Sequence, residues 1–258
     1  MSGLGAAQWR GTFALAGREV RRVGSLWTQT ILPPIVTGAI FLAVFGGALA
    51  SRVGRVEGVS YLDFILPGLL VTTVASQTVA NSATSLFQAK SEGYIEDILT
   101  SPLRPSQIVG PFVAGACVRG LAAALGVGAV ALPFIGVVHD PAVVVVALVT
   151  AALIFSAIGV ITGVWAETFD QHSFVASIVI TPLALLGGVF YPAASLDEPW
   201  STLTRLDPVY YLVDATRAGL TGTHESAVWL SLFVAALLAV ALWLLAVGIV
   251  ARGWRLKP

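Results

Sequence analysis

The feature that most constrains this chain is the absence of charge from stretch after stretch of about twenty residues. Residues 31–50, 141–165, 173–191 and 227–250 contain no Asp, Glu, Lys or Arg. Twenty helical residues rise about 30 Å, the thickness of a bilayer's hydrocarbon core, so each run is long enough to cross one. Backbone polar groups in lipid must be satisfied within the segment, which makes these runs helices rather than loops. Two further runs, 62–85 and 107–136, are more polar but mostly apolar, and they bring the expected number of spans to six. Only 11% of residues are charged, against about 25% in an ordinary soluble domain. The expected fold class is therefore an all-α integral membrane protein, read as a single domain over residues 1–258.

Ahead of the first span, Trp9, Phe13, Ala16, Val20, Val23 and Trp27 recur at steps of three and four. Residues 6–28 thus form an amphipathic helix with Arg10, Arg18, Arg21 and Arg22 on its other side, suited to lie in the membrane interface with its arginines toward headgroups. A signal peptide would place a short apolar core within the first twenty or so residues and end it at a small-residue cleavage site, whereas here the first long apolar run begins only at residue 31, so none is expected. Pro33 and Pro34 fall in the first turn of the first span, where proline is tolerated.

Six spans put both termini on one side. That side carries the four N-terminal arginines, Lys90, Arg104, Arg252, Arg255 and Lys257. The other carries Arg52, Arg55, Arg205 and Arg217 beside Glu57. Nine basic residues against four predict cytoplasmic termini. Formal net charge is zero, so nothing points to nucleic acid as a partner.

The expected chemistry is sparse. His139, His172 and His224 stand singly, and Cys117 is the lone cysteine, so no metal-ligand spacing is present. No carboxylate falls near the centre of an expected span, which argues against a proton- or sodium-coupled carrier. The chain has two lysines, Lys90 and Lys257, and neither sits in a phosphate-binding G-x-x-x-x-G-K-[ST] loop. Any energy from ATP must arrive through another protein.

The densest polar chemistry lies in residues 86–106, LFQAKSEGYIEDILTSPLRPS. Glu92 and Glu96 are spaced to share a helical face with Asp97 beside them. Tyr94, Ile95, Ile98 and Leu99 offer apolar contact, and Pro102 and Pro105 end the helix. Such a helix suits the groove of another protein, and the residues alone leave open whether it docks or is a solvated connector.

Polar residues also recur inside the spans. Thr73, Gln77, Asn81 and Ser85 form a stripe on the second, and Ser173, Ser177 and Thr181 on the fifth. Either stripe suits interhelical hydrogen bonding, and the one on the second span is read as the lining of a path. Arg119 stands well inside the third span, where a position facing the bundle interior or a hydrated vestibule is expected over one facing lipid. Ala152, Ser156, Gly159 and Gly163 give the fourth span a small-residue face for close helix packing. Phe190, Tyr191, Trp200, Tyr210 and Tyr211 collect near the expected outer boundary, as aromatic belts do. Residues 192–225 are too interrupted for a lone crossing and are expected to re-enter the outer leaflet as broken helices.

Several of these segments, in this order, carry a resemblance. PGLL at 67–70, EGYIEDILTSP at 92–102, FD at 169–170, TPLALLGGVFYP at 181–192 and LDPVYYLVD at 206–214 followed by Arg217 resemble the permeases of the ABC-2 type transporter family, particularly its YadH-type, nodulation-type and daunorubicin-resistance-type subunits. The resemblance implies a permease subunit in the bacterial inner membrane, paired with a second copy and with two copies of a cytoplasmic ATPase that holds ATP and magnesium, so that no cofactor belongs to this chain. It implies export of an amphipathic, drug-like or lipid-linked substrate. Residues 92–102 would be the coupling helix, with Glu92, Tyr94, Glu96, Asp97, Leu99 and Pro102 toward the ATPase and Phe169 and Asp170 as a second contact. Thr73, Gln77, Asn81, Ser177, Thr181, Phe190 and Tyr191 would belong to the substrate path. The family often has Asn-Pro where this chain has Asp207–Pro208. A membrane scaffold that recruits a cytoplasmic partner without transport is the alternative.

Overall fold

A computed structural model describes residues 2–49, 54–56, 58–136 and 138–256. Ala50, Arg52, Glu57 and Lys257 lie outside the described residues. Among the described residues six helices are long and apolar enough to cross a membrane, one for each expected span: Trp27–Gly46, Tyr61–Ser91, Pro105–Phe134, Pro141–Trp165, Phe169–Leu186 and Val228–Arg252.

The chain opens with α1 (Ser2–Ser25). A one-residue break separates it from α2 (Trp27–Thr30), which with α3 (Leu32–Ala43) and a π-helical turn (Val44–Leu49) builds the first span. Trp27, expected on the amphipathic helix, instead begins that span. A two-rung antiparallel hairpin, β1 (Arg55–Val56) and β2 (Val59–Ser60), leads into α4 (Tyr61–Ser91). Ser60 caps α4 by accepting from the Asp63 amide at 3.2 Å. Helical geometry continues to Ser91, six residues beyond the expected end of the second span. After α5 (Ile95–Thr100) come α6 (Pro105–Ala131) and α7 (Pro141–Trp165), the latter capped by the Asp140 carboxylate, which accepts from Ala142 and Val143. The fifth span is α8 (Phe169–Val175), a π-helical stretch (Ala176–Ile180) and α9 (Thr181–Leu186). Two outer helices, α10 (Trp200–Leu206) and α11 (Pro208–Thr221), precede α12 (Val228–Arg252).

The bundle is built around α4, which packs on α7, α6 and α11. In its most apolar stretch 72% of residues are buried, against 11% in the first span and 6% in the fifth. Those two peripheral helices therefore present most of their surface outward. The expected small-residue face of α7 lets α4 approach: a Cβ on Gly159 would lie 2.7 Å from the Val79 carbonyl oxygen, and one on Gly163 2.8 Å from that of Ala83.

A second apolar cluster closes one end of the bundle. Leu86, Ile95, Ile98, Phe112, Val164, Val250 and Leu256 share it, and Gln8 Nε2 donates to the Pro102 carbonyl at 2.6 Å. The amphipathic helix, the 86–106 segment and the C-terminal turn thus gather at the same end, referred to below as the terminal end.

At the opposite end α11 is not peripheral. Its residues from Leu212 to Gly219 are buried. Arg217, counted above as a loop charge, is 1% exposed. Its guanidinium lies 4.0 Å over the Phe64 ring, donates to the Gly188 carbonyl at 2.8 Å and stands 3.8 Å from Glu225. Glu225 also accepts from the amides of Ala193 and Ala194, while Asp214 accepts from those of Glu225 and Ser226. These carboxylates and one arginine staple the outer segment together. Tyr210, expected in an aromatic belt, is buried and shares a hydrogen bond with the Ser226 hydroxyl.

Candidate functional site

The sequence places its polar chemistry on the 86–106 segment, and the local fold explains how that chemistry is presented. α4 ends at Ser91, with Glu92 as its C-cap. Gly93 then takes a φ of +82°, a left-handed conformation that glycine adopts without a Cβ penalty. The chain reverses there, and α5 starts at Ile95. Glu92 and Glu96 therefore do not share a helical face as their spacing implied, because they stand on opposite sides of this break. Both are exposed, as is Asp97.

The apolar residues of α5 also face a different way from that expected. Ile95 and Ile98 are 4% and 9% exposed and are packed into the terminal-end cluster, with Leu99 and Tyr94 partly buried against it. They seat α5 on its own bundle instead of offering contact to a partner. What points outward is a carboxylate surface formed by Glu92, Glu96 and Asp97, with exposed Pro102 at its edge.

α1 braces this surface. Leu103 packs against Gly11, and the Arg18 guanidinium lies 4.6 Å over the Tyr94 ring. Burial raises the pKa of the Tyr94 phenol, with Arg18 opposing it. The arginine side of α1 is thus not all directed to headgroups: Arg18 and Arg22 turn to the bundle, while Trp9 and Phe13 stay exposed. Between these two arginines lies Glu19, 1% exposed, which pairs with Arg18 at 2.9 Å and Arg22 at 3.3 Å and accepts from the Ser85 hydroxyl. Sequence reasoning missed Glu19; its signal was a lone acid flanked by arginines at steps of one and three.

The second connector, between α7 and α8, leads into exposed Phe169 and Asp170 in the first turn of α8. It is held from two directions. Lys90 Nζ donates to the carbonyls of Val164 at 2.7 Å and Ala166 at 2.8 Å. Arg255 donates to Trp165 O at 3.0 Å and lies 3.5 Å from Glu167. Neither basic residue was assigned a role beyond the charge count.

The polar stripe of α4 divides in two. Thr73 and Gln77 line a lateral cleft of about 440 Å³ between α3, α4 and α9, together with Phe41, Ser76, Thr181 and Phe190. Asn81, expected on the same path, is instead buried at 3% exposure and accepts from Arg22 at 3.2 Å. The inner half of the stripe is hydrogen-bonding surface for α1. Ser177 is exposed and outside the cleft lining, and Tyr191 donates its hydroxyl to the carbonyls of Leu185 and Leu186. Arg119 donates to Gln77 Oε1 from Nε at 3.0 Å and from an Nη at 2.8 Å, so it faces the neighbouring helix of the bundle.

The ABC-2 type transporter family model matches residues 10–221. Inner membrane transport permease YadH of Escherichia coli K12 is 35% identical over 250 residues, covering 96% of this chain and 98% of that protein. Nodulation protein J of Rhizobium meliloti is 26% identical, covering 98% of this chain and 94% of its own length, and the Rhizobium leguminosarum bv. viciae protein of that name is 26% identical over 226 residues.

Proposed function

This chain belongs to the ABC-2 type transporter family and is a membrane permease subunit of an ABC transporter, and from that premise we propose that it exports an amphipathic, drug-like or lipid-linked molecule from the cytoplasm. In this reading the ATPase is a separate chain that carries ATP and magnesium, and two copies of it dock beneath two copies of the permease. Both termini lie on the cytoplasmic side of a bacterial inner membrane, the location named for the Escherichia coli relative.

The observation that carries the reading is the exposed carboxylate surface of Glu92, at the end of α4, and of Glu96 and Asp97 on α5, a helix whose own apolar residues are used up against the bundle. A surface so anchored transmits a push from a docked partner into α4 and α6, the helices it joins. Phe169 and Asp170 supply the second contact, tied to the end of α4 by Lys90. The cleft holding Thr73, Gln77, Thr181 and Phe190 has polar and aromatic walls on the side where the first and fifth spans are least covered. That is where a second permease copy would complete a path.

The test is co-purification of the permease with its ATPase, followed by ATP turnover in liposomes with and without candidate amphiphiles. The triple variant Glu92→Gln, Glu96→Gln, Asp97→Asn is expected to lose assembly or coupling. Unchanged assembly and turnover in that variant refute the docking surface. Binding of an ATPase whose turnover never responds to any amphiphile refutes transport in favour of a scaffold.

A further inference from the structure

We propose that Arg119, held behind Gln77 beside the lateral cleft, recognises the anionic head of an amphiphile, a specificity that rests on the transport reading only for the source of that amphiphile. Arg119 lies fourteen residues into α6, which runs Pro105–Ala131, and Gln77 lies sixteen residues into α4, which runs Tyr61–Ser91. Both positions are the midpoints of their helices to within a residue or two, and mid-span is where an arginine facing lipid is most costly.

Among the described residues no carboxylate lies within ion-pair distance of Arg119. Its side-chain hydrogen bonds among the described residues are two, both to one neutral amide oxygen, although a guanidinium has five donors. One turn along α4 the excess of donors continues. Asn81 is 3% exposed and its Nδ2 has no hydrogen-bond partner, and neither has the buried Nε of Arg22. Glu19 is already shared between Arg18 and Arg22, and Glu92, which lines the same pocket as those arginines beside Arg21, makes no ion pair with Arg119 among the described residues.

The α1–α4–α6 junction therefore holds surplus positive charge and surplus N–H groups. A phosphate or carboxylate head, which offers acceptor oxygens and negative charge, complements both. A cationic head complements neither. Gln77 lines the cleft, so a head reaching its amide is next to Arg119, while the chain or ring system of the same molecule lies along Phe41, Leu69 and Phe190. A neutral amphiphile fits the cleft walls but leaves the guanidinium uncompensated.

The purified permease is offered oleoyl lysophosphatidate, oleoyl lysophosphatidylcholine and oleylamine, which share a chain and differ in head charge, and binding is read by native mass spectrometry. The wild type is expected to favour lysophosphatidate by about tenfold or more. Arg119→Gln is expected to reduce that preference to about threefold or less, with Arg119→Lys intermediate. Gln77→Glu supplies an internal carboxylate to Arg119 and is expected to abolish the preference in a folded protein. Equal binding of the three probes by the wild type, or an undiminished preference in Arg119→Gln and Gln77→Glu, overturns the proposal. The same probes are then added to the permease–ATPase complex in liposomes. Stimulation of turnover by lysophosphatidate in the wild type and not in Arg119→Gln makes the anion cargo. Arginine-dependent binding without stimulation makes it a resident lipid and upholds the site. Stimulation by all three probes alike overturns the proposal and leaves the transport reading standing.

Discussion

Lys90, in the last turn of α4, donates from Nζ to the carbonyl oxygen of Ala166 at 2.8 Å and thereby ties the end of one membrane helix to the connector that leaves another. The same ammonium reaches Val164 O at 2.7 Å. Both carbonyls belong to the C-terminal end of α7, where a helix leaves its last acceptors unpaired and carries partial negative charge.

Lys90→Met keeps the apolar stem and removes the donor, leaving those carbonyls to water. Hydrogen exchange of amides 165–171 is expected to rise by about tenfold or more, with Lys90→Arg restoring part of the protection. In the reconstituted complex, transport per ATP is expected to fall more than ATPase binding, because the second contact remains present but loses its fixed relation to the first. Exchange rates equal to wild type would remove the clamp from consideration.

Glu19 is the centre of the α1 attachment. Its carboxylate meets two arginines and the Ser85 hydroxyl at 1% exposure. Glu19→Gln leaves Arg22 beside Asn81 and Gln88 with no counter-charge, and removing one partner of a buried pair costs about 3–5 kcal/mol. Exposure of Arg18 and Arg22 lowers this, and a loss of about 2 kcal/mol in α1 docking is expected. A cysteine at position 15, half-buried in the wild type, reports it: labelling by a water-soluble maleimide should speed up in Glu19→Gln. An unchanged labelling rate would mean that Arg22, Asn81 and Gln88 hold α1 without the acid.

How much of this was legible beforehand follows from the range of the forces involved. Apolar runs are local, so all six spans could be read from them, four free of charge and two holding Asp63 and Arg119, and the step of three or four residues gave α1 and the small face of α7. The direction in which a residue faces depends on what lies across from it. Ile95 and Ile98 read as an offered apolar surface, yet their neighbours are Phe112, Val250 and Leu256, more than ten residues away in sequence. Arg217 read as a loop charge because neither Phe64 nor the Gly188 carbonyl is near it in sequence. Two local signals were overlooked: Glu19, an acid between Arg18 and Arg22, and Gly93, a glycine between Glu92 and Tyr94 that marks the break separating the two glutamates.

Asp207 provides a pH test. It caps α11 by accepting from the Val209 amide at 2.8 Å, and its second oxygen is buried without a hydrogen-bond partner. Burial raises its pKa to about 7, against the Val209 bond, which lowers it. A carboxyl whose folded pKa lies above its unfolded value of about 3.9 stabilises the fold fully below that value, and the contribution is lost as pH rises toward 7. The melting temperature of the wild type should therefore decline between about pH 4 and pH 7. Asp207→Asn keeps a capping oxygen, since asparagine caps as well as aspartate, and should flatten the curve and raise stability at pH 8 by about 1–2 kcal/mol. A parallel decline in both proteins assigns the pH dependence elsewhere.

The close approach of α4 and α7 is the packing on which the bundle rests, and Gly159 tests it with an internal control. A Cβ at position 159 would lie 2.7 Å from the Val79 carbonyl oxygen and 3.0 Å from Val79 Cα. These are backbone atoms, so they yield only if the helices separate. Separation also strains the bond from Ser82 Oγ to the Ser156 carbonyl, 3.0 Å long and buried between the two helices. Overpacking of this kind costs about 1–3 kcal/mol, and a helical glycine-to-alanine change otherwise gains up to about 1 kcal/mol. Gly159→Ala is thus expected to destabilise by about 1–2 kcal/mol, or a few degrees in melting temperature for a chain of this size. At Gly248, on α12, nothing lies within 4 Å of the added Cβ. Gly248→Ala should be neutral or stabilising, because only the propensity term acts there. Equal melting temperatures for the two variants would show that α4 and α7 tolerate a wider spacing than their contacts imply.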